Sequence, residues 1–219
     1  MRSISAEDLV CMDDLAESCS YRVDLAYARS DNSLFGERIY KSDAKLWLHK
    51  DLAQLVCLAA QDCHKRHGLR FVLYDGLRTV DAQEAMMQTR RVKDNPHWIE
   101  EPRLLSTPGK GGHPRAMAID IGLEDENGAS LDMGCVFDYM ADSPHPHHNR
   151  AHRAYPHTYA IKRNRAILDG CMMASAVAFN IDLHPIAAEW WDFRFPSSFY
   201  NQYAPLREAD LPPVSRLLS

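Results

Sequence analysis

Gly111-Gly112-His113-Pro114-Arg115-Ala116-Met117-Ala118-Ile119-Asp120-Ile121-Gly122-Leu123 is the stretch on which the fold turns. Its second half, Ala118 to Leu123, is an apolar run of strand length with one carboxylate inside it. A charged side chain in such a run costs free energy unless it is paired or coordinated, so Asp120 asks for a cation. His113 stands seven residues earlier, and glycines frame both ends. Two readings are open at this point. Either a metal site has its aspartate on a buried strand, or Asp120 pairs with an arginine and His113 is a solvated loop residue. The spacing alone does not choose.

Working outward, the chain has the length and composition to bury a sizeable core: 219 residues, 46% of them hydrophobic. A formal net charge of -5 leaves no basic footprint, which argues against nucleic acid as a partner. The longest apolar runs, Leu52 to Ala60 and Cys171 to Phe179, fall short of a membrane span. The first twenty residues carry Glu7, Asp13, Asp14 and Glu17 and do not read as a secretory signal, so a cytoplasmic location is expected. Six cysteines without a Cys-x-x-Cys pair argue against a thiolate zinc site and a disulfide framework.

Upstream of the opening stretch, Tyr21, Val23 and Leu25 alternate with polar or small residues as in a half-buried strand. A helix is predicted from about Ala44 to Gly68, capped by Ser42 or Asp43, because apolar residues recur at helical spacing until the glycine. Leu69 to Tyr74 reads as a strand ending at Asp75-Gly76, and Asp81 is placed to cap a second helix from Ala82 to about Val92. Residues 93 to 112 form a loop rich in proline and glycine that delivers His113.

Downstream, residues 124 to 128 have the composition of a turn between antiparallel strands, with residues 131 to 140 returning toward the core. His145, His147, His148, His152 and His157 crowd a segment that reads as an exposed loop. A third helix is predicted over about Tyr159 to Phe179, its methionines and alanines serving as core packing. Ala188 to Phe195 places Glu189 and Asp192 among four aromatics. Such a segment is buried, and both acids must then be paired, protonated or on a metal.

Taken in order, Tyr21 to Gly36, Asp75-Gly76-Leu77-Arg78, His113 to Asp120, Leu131-Asp-Met-Gly to Phe137-Asp138 and Glu189-Trp190-Trp191 resemble the D-alanyl-D-alanine dipeptidases, the VanX-like zinc peptidases of the D-Ala-D-Ala metallopeptidase superfamily. The family pattern is S-x-H-x-x-G-x-A-x-D, later E-W-W-H, with an arginine in D-G-Y-R-P. The resemblance implies one zinc ion per chain on His113, Asp120 and the residue after Trp191, with Glu189 as general base. It also implies Arg78 as the residue that polarises the scissile carbonyl, Asp75 as its helper at the substrate site, and Asp138 as the receptor for the substrate's ammonium group. A small dipeptide is the implied partner.

The chain departs from the pattern at five places. Gly111 replaces the serine, Ala116 the glycine, Leu77 the tyrosine and Thr79 the proline, and Asp192 stands where the third zinc ligand is histidine. Alanine for glycine is mild if position 116 needs no positive φ. Aspartate is a legitimate zinc ligand, so three outcomes are open: Asp192 coordinates, another residue such as His184 or another metal takes over, or the site is metal-poor and inactive.

The expected fold is α+β: a small, mainly antiparallel sheet of the Hedgehog/DD-peptidase kind, packed against helices and carrying the metal site. One domain is expected over residues 1–219, with residues 1–20 as an N-terminal arm and 196–219 as an irregular tail. The expected activity is zinc-dependent hydrolysis of D-alanyl-D-alanine or a closely related small dipeptide. The alternative is a non-catalytic or substrate-diverged member of the same fold that binds a small peptide or cell-wall fragment.

Overall fold

A computed structural model describes residues 1–100, 105–143 and 145–218. Five strands form one sheet: β2 (Tyr21–Val23), β4 (Arg70–Asp75), β5 (Ala118–Glu124), β6 (His184–Pro185) and β7 (Asp192–Arg194), in the order β2-β4-β5-β7-β6. Only β2 and β4 run parallel; the other three pairings are antiparallel. Two further strands, β1 (Leu9–Cys11) and β3 (Trp47–His49), form an antiparallel ribbon. The fold is therefore α+β with a mainly antiparallel sheet, as expected.

The long helices α1 (Lys50–His67) and α4 (Tyr159–Phe179) lie against each other, with the Ser175 hydroxyl donating to the Leu55 carbonyl at 2.8 Å. Leu52, Leu55, Val56, Ala59, Leu168 and Met172 are fully buried in the same core as Phe71, Leu73, Ile119, Ile121 and Leu123. Alternate residues of β4 and β5 thus supply the helix-packed face, and the other set, Asp120 among them, is free to build a site.

Several boundaries differ from the sequence expectation. The first helix starts at Lys50 rather than near Ala44, because Trp47–His49 pairs with β1 and His49, not Ser42 or Asp43, accepts from the Asp51 amide. Gly68, at φ 66°, ends it as predicted. The second helix splits into α2 (Val80–Gln88) and α3 (Arg90–Asp94), since Thr89 leaves the helical conformation and caps the second piece. Thr79, not Asp81, caps the first. After β5 the expected turn forms, with Gly128 at φ 78°, but only Glu124 and Ser130 bridge. The chain then crosses toward the site as a loop instead of a strand. The tail, expected to be irregular, includes the short helix α5 (Ser197–Tyr200) and two single turns of 3-10 helix, Glu208–Asp210 and Pro213–Ser215, and buries Leu206, Leu211 and Leu217. All six cysteines are free. No helix among the described residues is long and apolar enough to cross a membrane.

Candidate active site

Three carboxylates lie in a row across the sheet. The β4–β5 register runs Phe71↔Leu123, Val72↔Gly122, Leu73↔Ile121 and then jumps to Asp75↔Asp120. Tyr74 is the extra residue of this bulge. In a regular ladder that kept every residue and formed no bulge, Asp75 would oppose Ile119 and its side chain would turn to the helix-packed face. Tyr74 lies over Gly122, where a Cβ would come within 2.7 Å of its ring, and stacks on Phe137 at 4.6 Å. On the other side of β5, Asp120 opposes Asp192 of β7. Like charges placed opposite each other repel, so the row needs cations.

Three basic side chains supply them. Arg78, just beyond β4, donates from Nη2 to Asp75 at 2.7 Å and lies 3.5 Å from Asp120 Oδ2. His113, in a single turn of 3-10 helix ahead of β5, has Nε2 3.3 Å from Asp192 Oδ2 and 3.6 Å from Asp120 Oδ1. Arg194, two residues along β7, grips Asp192 with both Nε, at 2.7 Å, and Nη2. Burial opposes ionisation of Asp192, but Arg194 and the hydrogen bond with His113 hold its carboxyl well below the usual range. Burial and Arg78 likewise disfavour a charged His113; Asp120 and Asp192 outweigh them and raise it to about 10.

Among the described residues, Asp75, His113 and Asp120 form a group able to hold a metal ion, with one ligand atom from each within 4.8 Å of the others. Asp75 is the weakest member. It is fully buried, its oxygens take hydrogen bonds from Tyr40 and Arg78, and it faces His113 Nδ1, which is 2.8 Å from the Gly76 carbonyl. A ring whose Nδ1 donates to that carbonyl turns Nε2 toward a metal, on the side of Asp120 and Asp192. Asp120 Oδ1 is buried without a hydrogen-bond partner. Tetrahedral ligands about 2.0–2.1 Å from zinc stand about 3.3 Å apart, close to both His113 distances; Asp192, however, is not a member of the metal-holding group and both of its oxygens are held by Arg194, so His113 and Asp120 are the donors that fit such an ion.

A cavity of about 110 Å³ opens here, lined by Arg78, His113, Asp120, Asp138, Glu189, Asp192 and Arg194, with Tyr27 and Trp191 among its walls. Burial, then the charges of Asp192 and Asp120, raise Glu189 to about 7 against the pull of Arg194 and Arg78. Asp138, at φ 60°, accepts from the Tyr27 hydroxyl at 3.2 Å through Oδ1, while Oδ2 is buried and unpartnered. Burial and the Asp120 charge push its carboxyl well above the usual range.

The structure thus brings together six of the seven residues singled out in the sequence. Asp75 is not among the cavity's lining residues; it stands behind Arg78 and fixes it, rather than reaching a substrate. His184, the substitute ligand considered, is exposed on β6 and also does not line the cavity. Ala116 does need a positive φ, 54°, contrary to the mild case. That conformation costs about 1–2 kcal/mol, and burying its methyl returns roughly 0.8 kcal/mol, so alanine is tolerated.

Four supporting residues escaped the sequence reading. Arg153, from the histidine-rich segment, donates to the carbonyls of Ile186, Trp190 and Asp192 and pairs with Asp169. Asn149 donates to the Ala188 carbonyl at 2.9 Å. That segment is therefore a clamp on the turn that carries Glu189 and on the start of β7 at Asp192, and among the described residues its histidines form no metal-holding group. Arg115 ties down the carbonyls of Gly109, Gly111 and Tyr203. Arg194 is the fourth; an arginine two residues from an aspartate, on the same face of a strand, was the signal for it.

The family model described as D-ala-D-ala dipeptidase matches residues 6–207. The chain belongs to that family. The D-alanyl-D-alanine dipeptidase of Escherichia coli (strain K12), a relative, is 33% identical over 181 residues, covering 80% of this chain and 79% of its own. Among solved structures, the L-Ala D-Glu endopeptidase ChiX of Serratia marcescens aligns with a TM-score of 0.39 and 15% identity, over 70% of this chain and 84% of that one. Membership makes this chain a peptidase of the dipeptidase type.

Proposed function

We propose that the chain hydrolyses D-alanyl-D-alanine or a closely related small dipeptide, with one zinc ion held by His113, Asp120 and Asp192, and that it does so in the cytoplasm. The observation that carries the reading is the unpartnered, buried Asp120 Oδ1 beside His113 Nε2, in a cavity that also holds Glu189 and Arg78. When bound, the ion supplies Lewis acidity and a water that loses its proton near neutral pH.

The chain's own residues supply the rest. Glu189, poised near neutrality, takes a proton from the attacking water and returns it to the leaving amine. Arg78, held by Asp75 and stacked over the Tyr27 ring at 5.1 Å, presents a fixed cation to the oxygen on which charge develops. Asp138, a wall of the cavity whose Oδ2 is buried without a partner, receives the substrate's ammonium group and restricts the site to free N-termini.

Glu189→Ala should lose about 10²–10⁴-fold in kcat on D-Ala-D-Ala while the zinc content of the purified protein stays at one per chain. Loss of the metal with the activity would make Glu189 a ligand and refute its role as base. One observation favours the non-catalytic alternative: Asp192 is already occupied by Arg194. Protein purified without chelators that retains only a small fraction of an equivalent of zinc, and releases no alanine when zinc is added, would establish that alternative.

A further inference from the structure

Arg194 has one nitrogen to spare. Nε and Nη2 are committed to Asp192, but among the described residues Nη1 has no hydrogen-bond partner, and the side chain lines the cavity. Its surroundings are fixed from two sides. A Cβ at position 111 would lie 3.5 Å from Nη1, and the Gly111 backbone, at φ 86°, is a conformation that glycine adopts without strain. Arg115 holds the Gly111 carbonyl at 2.9 Å, so the wall beside Nη1 is built rather than loose.

Strand order places this nitrogen relative to the chemistry. Tyr27, which supports Asp138, follows β2; Arg78 follows β4; Asp120 is on β5; Asp192 and Arg194 are on β7. The receptor for an ammonium group therefore lies on the β2–β4 side of the reacting centre, and Arg194 on the opposite side. A zwitterionic dipeptide whose scissile carbonyl sits between Arg78 and Asp120 carries its amine toward Asp138 and its C-terminal carboxylate toward β7.

We infer that Arg194 is a specificity-determining residue whose Nη1 receives the C-terminal carboxylate of the substrate, its guanidinium being held in place by Asp192. This rests on the dipeptidase reading above. A guanidinium fixed by one carboxylate and open to a second gives a charge-assisted hydrogen bond whose direction is preset, and it rejects chains extended beyond the second residue.

The test compares D-alanyl-D-alanine with D-alanyl-D-alaninamide, which lacks the carboxylate charge, on the zinc-supplemented protein, by calorimetric binding and by kcat/KM. The native protein should prefer the free acid by about ten- to a hundredfold, mostly in KM and Kd. Arg194→Met should cut that preference to under about threefold, and Arg194→Lys, which keeps a cation on the strand, should retain part of it. No preference in the native protein, or equal losses on both ligands in Arg194→Met and Arg194→Lys, would overturn the inference and leave Arg194 as a holder of Asp192 alone. Because binding is read without turnover, a protein that keeps the Arg194-dependent preference yet cleaves neither compound refutes the dipeptidase reading while supporting carboxylate recognition.

Discussion

Asp120 and Asp192 face each other across neighbouring strands, and the protein treats them in opposite ways. Asp120 has its Oδ1 unpartnered in a buried position. Asp192 has both oxygens held by an arginine on its own strand. One side of the centre is left in need of a cation and the other carries a cation with it. Asp192 and Arg194 together are close to neutral, as the histidine of the family pattern is in its metal-binding form. The substitution at position 192 is thereby compensated in charge: a neutral His113, Asp120, Asp192 and Arg194 sum to the same formal charge as two neutral histidines and one aspartate.

That contrast can be broken most forcefully from the Asp120 side. Asp120→Asn removes the charge without changing the shape, and zinc affinity, measured by competition with a chromophoric chelator, should fall by at least about a hundredfold. The Asp192 side should respond in stability instead. Asp192→His, the change that restores the family residue, strands Arg194 in a largely buried position and should cost about 3–5 kcal/mol in urea unfolding of the metal-free protein. Asp192→His with Arg194→Met should recover most of that loss; a single variant as stable as the native chain would show that the pair contributes no compensation.

Smaller effects follow from protons. His113 is raised to about 10 by its acidic neighbours in the metal-free protein, so zinc binding at pH 8 must expel about one proton from it. Calorimetry in buffers of different ionisation enthalpy measures that number, and zero protons would contradict the imidazolium. The raised His113 also stabilises the metal-free fold fully below about 6.5, an advantage lost as pH climbs through about 10.

Glu189 has the reverse consequence for an acid. Its carboxyl moves from 4.5 to about 7, so the folded state disfavours its ionisation, and the stability present below 4.5 is lost as pH rises through about 7. Glu189→Gln should therefore have a higher unfolding free energy in urea than the native metal-free protein at pH 8, by on the order of 1 kcal/mol, and show no such gain at pH 4.5. An equal gain at both values would point to packing rather than charge.

The parts legible in the sequence are those governed by local periodicity and residue type. The helix Tyr159–Phe179 and the strand around Asp120 follow from their apolar patterns, and Gly68 marks the end of the first long helix. His113, Asp120, Glu189 and Arg78 lie in recognisable motifs, and all four line one cavity. What escaped depends on pairing between distant strands. Trp47–His49 reads as part of a helix until β1 is seen to claim it. Asp75 becomes a buried brace for Arg78 only because one bulged residue turns it to the Asp120 face. Arg153 reaches the carbonyls around Asp192 from a loop some forty residues away in sequence. No pattern within a short window carries such information.

The bulge at Tyr74 also inserts a side chain without moving its neighbours out of register. Substituting Tyr74 by another aromatic leaves the two-against-one count of residues intact, whereas deleting it returns β4 and β5 to a regular ladder. In that ladder Asp75 follows Leu73 directly and still opposes Asp120, so the brace on Arg78 keeps its face of the sheet. What a deletion removes is the ring that covers Gly122 and stacks on Phe137, the chain neighbour of Asp138, so the extra residue is a wall for that loop rather than a spacer for Asp75.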